Sequence, residues 1–390
     1  MPDHTTPRNV ATPARVNTAL REAAARANGV ELAAVPDAHP HRPRRGAAGD
    51  CVSALPLRLA GTVGRPAAET AAATAAELRA SGAFAAVSHT DRGFLSVTCT
   101  TAAWVALAGT VARNAAEHLT EGRWDGTRDP ATEPPAVLAD AGPVAEARRW
   151  ARADARRRLR SARAPVAAAP AGMPPAAATD DVTWRDPYLD APAGGTESAR
   201  LLNAVGEASA RIAFCRSSSE ELRPGEETGP GLPALPNAHH PGDWAWHTAS
   251  NPAFCLRYAH AHAVATRQWT EDAGLPPASA TGETTRAGEA ALDTPSVHAL
   301  LGKLFDAPAM LEAAGRRGQP HLWVRYLETL AVAYHEWRGP CGVIPGETTG
   351  REAADAARRE TAARLDLCAA AAGVLRTGLF LLGVSAPTRL

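Results

Sequence analysis

A strongly basic segment is the part of this sequence whose residue types and spacing point most directly to chemistry. Residues 146–163 contain eight arginines and few acidic residues. On a helix, spacings of three and four residues place five of these arginines on one face. These are Arg149, Arg152, Arg156, Arg160 and Arg163. This arginine face has two interpretations. In the first, Arg149, Arg152, Arg156 and Arg160 contact an RNA backbone, and the affinity depends on salt. In the second, the helix is solvated and bridges two domains.

The other reactive residue types form no recognisable catalytic or metal-binding pattern. His239-His240 and His260-x-His262 have no Cys or carboxylate partners at the spacing of metal ligands. Ser217-Ser218-Ser219 has no evident base. Six cysteines stand far apart and are interpreted as reduced, buried thiols of a cytosolic protein. The sequence therefore predicts no metal, no cofactor and a cytoplasmic location.

The composition limits the function classes. A length of 390 residues suggests two or three domains. The charges of Lys+Arg 41 and Asp+Glu 41 cancel, so the chain lacks the overall basic excess of many nucleic-acid-binding proteins. A net charge of zero does not exclude local basic patches. No signal peptide and no apolar run of membrane-spanning length is found, so no membrane association is expected.

The positions of Pro and Gly and the spacing of apolar residues predict a mainly α fold in three parts. Residues 1–100 are predicted to form a small α+β domain, with helices at 13–30, 50–60 and 66–81 and short strands around Phe84, Val87 and 94–98. Residues 101–195 are predicted to be an irregular linker, rich in Pro, Ala and Arg, that contains a helix from Trp104 to Leu119 and the basic helix 146–163. Residues 196–390 are predicted to form a C-terminal helical bundle.

Four blocks in the C-terminal half resemble, in order, the sequence pattern of arginyl-tRNA synthetases. They cover residues 206–218, 251–262, 326–343 and 374–390. The second block, Asn-Pro-Ala-Phe followed by Tyr-Ala-His-Ala-His, is similar to that family's Asn-Pro-x-Phe…Tyr-Ala-His-Ala-Arg helix. The resemblance implies that residues 196–390 form an anticodon-binding helical domain of the DALR type.

Four positions depart from the pattern of that family. His262 stands where the family has Arg, Arg338-Gly339 replaces a Tyr-Asn pair, and Leu390 replaces the terminal Met. These changes imply a relaxed or altered base preference. The first hundred residues resemble the family's N-terminal domain more faintly, through Gly49-Asp50, Gly64-Arg65-Pro66 and the segment 93–97.

The catalytic signatures of the same family are absent from the sequence. No His-x-Gly-His motif occurs, and Lys303 is the only lysine, so no Lys-Met-Ser-Lys loop is present. The 95 residues of 101–195 are too few, and have too few Val/Ile-rich strands, for the family's nucleotide-binding α/β domain. The resemblance therefore implies a chain that does not activate arginine on its own.

Tyr258 and His262 are one helical turn apart, as are Tyr334 and Arg338. In the family the matching positions surround a flipped anticodon base, and unstacked RNA bases are read by aromatic stacking, guanidinium planes and edge hydrogen bonds. The resemblance implies the following tRNA-binding residues: Tyr258, His262, Tyr334, Trp337, Arg338, Arg257, Arg376 and Leu390. The alternative is that the tyrosines are ordinary core residues and the arginines are solvated or paired.

The leading prediction is a non-catalytic paralogue of arginyl-tRNA synthetase that binds tRNA, arginine tRNA above all, through its C-terminal domain. It would deliver or sense tRNA, in cooperation with a separate enzyme that uses charged tRNA. One alternative is an arginine–tRNA ligase-like enzyme or subunit that needs a partner. The other is a protein-interaction scaffold that has lost RNA binding.

Overall fold

A computed structural model describes residues 11–43, 49–124, 137–164, 195–275, 277–281, 291–340 and 350–390. These residues are mainly helical, with one small three-stranded sheet and a two-stranded ribbon, so the predicted fold class is confirmed. Most of the Pro-rich stretches at 125–145 and 164–195, and the motif residues Cys341 and Val343, lie outside the described residues. In the described part of the chain, no helix is long and apolar enough to cross a membrane.

The chain divides into two compact units. The first comprises Met1–Gly109, Ala278–Asp306 and Glu347–Arg364. The second comprises Thr110–Pro277, Ala307–Gly346 and Leu365–Leu390. The predicted domain boundaries at residues 100 and 195 remain a prediction.

The first unit is built on an antiparallel sheet. The strands are β1 (Cys51–Ser53), β2 (Ala86–His89) and β3 (Leu95–Thr98), in the order β1-β3-β2. The helices at its N-terminal end are α1 (Pro13–Asn28), α2 (Leu55–Val63) and α3 (Ala67–Ser81). As predicted, α1 starts at Pro13 and ends at Gly29, whose φ of 64° is a left-handed conformation that glycine adopts without strain.

The predicted helix at 50–60 is wrong in its first half. Residues 51–53 form β1 because they pair with β3, with Cys51 opposite Val97. The helix begins only at Leu55, whose N–H donates to Ser53 Oγ at 3.1 Å. Ser53, the last residue of β1, thus accepts the N–H of the first helical residue, and its position depends on the pairing of β1 with the distant strand β3.

The remaining helices are longer on average and dominate the second unit. They are α4 (Thr101–Arg113), α5 (Ala115–Thr120), α6 (Val144–Ser161), α7 (Glu197–Arg216), α8 (Pro252–Asp272), α9 (Ala278–Thr281), α10 (Pro295–Arg317), α11 (Pro320–Arg338) and α12 (Arg351–Leu381). A ribbon of β4 (Glu227–Gly229) and β5 (Leu232–Pro233) lies between α7 and α8 in the chain. Helix α9 and the first parts of α4, α10 and α12 belong to the first unit.

Helix α7 is interrupted at Gly206, a residue of the first synthetase-like block. Its φ of 77° and ψ of 153° are not helical, and a side chain at that φ would be strained. The part after the break, residues 209–216, is fully buried except at its edges. The segment of α7 after the break is therefore buried within the second unit, and α7 contacts α6, α8 and α11.

Candidate nucleic-acid interface

The candidate interface is anchored by the Asn-Pro pair that opens α8. Asn251 is fully buried, and its side-chain oxygen accepts from the N–H groups of Ala253 and Phe254 at 2.9 and 3.3 Å. Its amide donates to the carbonyls of Trp244 and Trp246 at 3.0 and 2.9 Å. One side chain thus caps the helix and fixes its start against the preceding loop, which explains the chemistry of this motif.

Helix α8 carries aromatic rings on one face at four-residue spacing. Phe254 stacks on Tyr258 with centroids 5.6 Å apart, and Tyr258 lies 5.9 Å from His262. His247, from the loop before the helix, stacks on Phe254 at 5.7 Å with ring planes 8° apart. These four rings, together with Tyr334 and His335 of α11, are here named the aromatic row.

Helix α11 closes the row from the other side. His335 stacks on Tyr258 at 5.5 Å with an interplanar angle of 18°. The Tyr334 hydroxyl lies 2.9 Å from His262 Nδ1, within hydrogen-bonding distance, and Trp337 packs edge-on against Tyr334 at 5.9 Å. Two histidines therefore hold the tyrosines of different helices in fixed orientations.

Exposure separates the predicted base-binding residues into two groups. Tyr258 is 43% exposed, so one part of its ring is open to a ligand. Tyr334 and Trp337 are both 0% exposed, so neither can stack on an RNA base in this conformation. For these two residues the interpretation as core aromatics replaces the predicted contact. They support the row rather than form its surface.

The other predicted RNA contacts differ in burial and in whether they contact the row. Arg338 is half-buried and close enough for its charge to lower the pKa of His262. Arg257 is half-buried, and burial lowers the pKa of its guanidinium. Arg376 and Leu390 are exposed, and in the described part of the chain no hydrogen bond, ion pair or ring contact joins either of them to the row.

The basic helix α6 is mostly an internal element, which corrects the sequence interpretation. Arg152 is 2% exposed, and its Nη1 donates to the carbonyls of Phe214 and Ser217 at 3.0 and 2.8 Å. Arg152 therefore satisfies carbonyls at the end of α7 and leaves the set of candidate RNA contacts. Arg156 is paired with Glu220, whereas Arg149 and Arg160 are exposed and remain candidates.

Sequence reasoning missed three members of the row: His247, Phe254 and His335. A signal for Phe254 was available, since it precedes Tyr258 by four residues. No local signal identifies His247 or His335, because their stacking partners lie on other segments of the chain. No group of three or more metal-binding side chains occurs among the described residues.

The histidines of the row are held in their neutral form. Burial lowers the pKa of His247 and His335 below the ordinary value of 6.5. The pKa of His262 is lowered first by burial and then by the charges of Arg338 and His335. At neutral pH the row is thus an uncharged stacking surface bordered by guanidinium groups.

These shifts predict acid sensitivity of the second unit. A lowered pKa means that the unfolded chain binds protons more readily than the folded one, so stability is full above pH 6.5 and falls as pH decreases below it. We expect the thermal midpoint to fall between pH 7 and pH 5. In the double variant His262→Gln with His335→Gln, the thermal midpoint should fall less over the same pH range. The measurement compares the thermal midpoints of variant and parent at each pH. An identical decline in both proteins would contradict the assignment.

The geometry is that of a helical bundle with a half-open aromatic surface, and the sequence comparisons give its class. Residues 275–390 match the DALR anticodon binding domain. Among proteins of known function, an arginine–tRNA ligase of Frankia alni is 41% identical over 143 residues, which is 37% of this chain and 24% of that enzyme. An arginine–tRNA ligase of Renibacterium salmoninarum is 34% identical over 191 residues, 49% of this chain and 30% of that enzyme.

The chain thus carries a DALR anticodon-binding domain, and its C-terminal half resembles arginine–tRNA ligases as the sequence motifs indicated. The matched part spans about a quarter of the length of the Frankia alni relative. Among solved structures, the Thermus thermophilus arginyl-tRNA synthetase aligns over 96% of this chain and 59% of its own, at 16% identity and a TM-score of 0.32. With so low a TM-score, the assignment rests on the sequence matches.

Proposed function

We propose that this protein binds tRNA, with arginine tRNA as the preferred ligand, through the aromatic row of its C-terminal domain. The observation that carries the proposal is Tyr258, a half-exposed ring that stacks on His335. His335 belongs to the segment 275–390 that matches the anticodon-binding domain. A ring whose orientation is already fixed loses little conformational freedom when a base stacks on it. The neutral histidines beside it offer hydrogen-bonding edges without a competing charge.

We further propose that the protein does not aminoacylate tRNA by itself. The sequence contains neither the His-x-Gly-His motif nor a lysine-containing phosphate-binding loop, and Lys303 is its only lysine. In the resembled family these two motifs stabilise the ATP phosphates. The proposed role is therefore tRNA delivery or sensing in the cytoplasm, in cooperation with a separate enzyme that uses charged tRNA.

Binding to total cellular tRNA at two salt concentrations, followed by sequencing of the retained RNA, tests the proposal. Enrichment of arginine isoacceptors supports recognition of arginine tRNA, whereas mixed tRNAs indicate backbone contact without base reading. Arginine-dependent exchange between ATP and pyrophosphate serves as the catalytic assay, and we expect none. Exchange activity would contradict the non-catalytic assignment.

The scaffold hypothesis is a second candidate, and one observation favours it. Tyr334 and Trp337 are completely buried, so the candidate interface offers fewer open rings than the resemblance implies. The balance of Lys+Arg 41 against Asp+Glu 41 adds no general attraction for RNA. Absence of tRNA binding at low salt is the result that would favour this candidate.

Substitution of Tyr258 tests the role of the row directly. Stacking of a base on an aromatic side chain contributes about 1–3 kcal/mol, so Tyr258→Ala should weaken tRNA binding by roughly 5- to 150-fold. Tyr258→Phe keeps the ring and should bind within about twofold of the parent if stacking is the main contribution.

Trp269→Ala is the matched control for this substitution. Trp269 is on the same helix and 64% exposed, so its removal takes away an exposed aromatic ring outside the row. We expect its tRNA affinity to equal that of the parent, and circular dichroism should show all three variants to be helical. Equal affinity of Tyr258→Ala and the parent would remove the row from the binding surface.

A further inference from the structure

The second unit carries a group of arginines that the aromatic row does not use. They come from three separate places: the turn after α5, the C-terminal end of α6, and the last turn of α10. The members are Arg123, Arg156, Arg160, Arg163, Arg316 and Arg317, here named the arginine patch. Only part of this group was visible in the sequence, because α10 lies about 150 residues after α6.

Direct contacts bring the ends of α6 and α10 together. Arg163 Nε donates to Glu312 Oε2 at 2.7 Å, and Arg123 Nη2 lies 3.7 Å from the same oxygen. Arg156 Nε donates to the carbonyl of Gly318 at 2.9 Å. Arg160 Nε in turn donates to the carbonyl of Arg156 at 3.1 Å. The patch is therefore a structured surface with a fixed framework.

Gly315 makes this close approach possible. A Cβ at this position would lie 2.5 Å from Arg163 Cδ and 2.7 Å from the carbonyl oxygen of Leu159. Backbone atoms of α6 cannot move aside as easily as a side-chain end, so any larger residue would separate the two helices. The absence of a side chain at Gly315 is thus what places arginines of both helices on one surface.

The patch has an excess of positive charge in a chain whose net charge is zero. Among the described residues, three of its six arginines, Arg123, Arg156 and Arg163, pair with the carboxylates of Glu121, Glu220 and Glu312. Arg160, Arg316 and Arg317 are exposed, and within the described residues none of them makes an ion pair. Cations at a helix C-terminus interact favourably with its dipole, but one or two suffice for that, so the surplus points to an external anion.

We propose that the arginine patch is a second contact surface for tRNA, which binds its phosphate backbone independently of sequence. The inference rests on the proposed function, because it assigns the same ligand to both surfaces. Planar guanidinium groups suit phosphate oxygens, and backbone contacts of this kind position an RNA without reading its bases. The patch would hold the tRNA while the aromatic row discriminates between bases.

The test compares the salt dependence of tRNA binding in the parent and in three triple variants. Arg160→Ala with Arg316→Ala and Arg317→Ala removes the exposed members of the patch. Each phosphate contact contributes about 0.7–0.9 to the slope of log affinity against log salt, so the magnitude of the slope should fall by about 2. Affinity at low salt should fall roughly tenfold or more, with the same isoacceptors retained. The corresponding Lys variant keeps the charges and should retain most of the affinity.

The matched control is Arg200→Ala with Arg223→Ala and Arg267→Ala. These arginines are also exposed and in the second unit, and the change in net charge is identical. We expect the control to keep the slope of the parent. If the parent binds tRNA but the patch variant keeps its slope and affinity, the patch proposal is overturned and the proposed function stands. If the parent does not bind tRNA at any salt concentration, both are overturned.

Discussion

The variant Asp154→Asn should lose about 3–5 kcal/mol of the free energy of unfolding of the second unit. Asp154 is 0% exposed and accepts from Arg158 Nε and Arg211 Nη1, each at 3.2 Å. The side chains of Arg158 and Arg211 are themselves only 4% and 3% exposed. An amide in place of the carboxylate would leave buried guanidinium charge without full compensation, and this cost exceeds that of a lost surface pair.

The contacts of Asp154 also explain why this site is sensitive. Its Oδ2 would be 3.0 Å from a Cβ on Gly383, a residue of the synthetase-like C-terminal block whose φ is 71°. The Arg158 guanidinium lies 5.0 Å from the ring centroid of Phe380, over its face. The carboxylate thus joins α6 to α7, and its partner Arg158 contacts Phe380 at the end of α12. Its loss should therefore affect the packing of three helices.

Urea denaturation followed by tryptophan fluorescence measures the effect, because Trp244, Trp323 and Trp337 are buried in this unit. Asp272→Asn at the exposed end of α8 is the control and should change stability by less than about 0.5 kcal/mol. A loss below about 1 kcal/mol in Asp154→Asn would contradict the view that the acid neutralises buried arginines.

Features of the fold that depend on local contacts could be predicted from the sequence. The start of α1 at Pro13 and its end at Gly29 follow from a capping preference that acts within one turn. The class of the C-terminal domain was also accessible, since ordered motifs identify a family without a knowledge of packing. Both predictions are confirmed.

The arginines of α6 show what spacing could not reveal. Spacing correctly places Arg149, Arg152 and Arg156 close together on a helix surface, but it cannot say what that surface meets. The end of α7 presents carbonyls of Phe214 and Ser217 that need donors, and Arg152 supplies them. A buried arginine is rare without such partners, so only the three-dimensional neighbourhood reveals this role.

The aromatic residues show the same limit in the candidate site. The resemblance gives Tyr258 and Tyr334 equivalent roles, and the structure makes one of them half-exposed and the other buried. Tyr334 packs against His262, His335 and Trp337 and is fully buried. Tyr258 packs against Phe254, His262 and His335 and still keeps part of its ring exposed. Which helix covers a ring is decided by packing between distant segments, and local spacing contains no information on it.

Trp337→Ala should therefore act on stability and not on recognition, although the resemblance placed this residue among the RNA contacts. Truncation of a buried tryptophan to alanine costs about 3–5 kcal/mol, through lost burial and the cavity that remains. Trp337 is 0% exposed and packs against Tyr334, so we expect a loss in this range. Trp269→Ala, at a position that is 64% exposed, should cost less than about 1 kcal/mol in the same urea titration.

Binding measured on Trp337→Ala, Trp337→Phe and Tyr258→Ala separates the two roles of an aromatic residue, support of the fold and contact with RNA. If Trp337 only supports the fold, tRNA affinity per folded molecule should be unchanged in Trp337→Phe, and any decline in Trp337→Ala should follow the unfolded fraction. A loss of affinity in Trp337→Phe with parent-like stability would instead mean that the indole contacts RNA after a rearrangement of the bundle. The comparison with Tyr258→Ala then decides whether base reading is confined to the half-exposed ring, because that variant should lose affinity while its stability stays close to that of the parent.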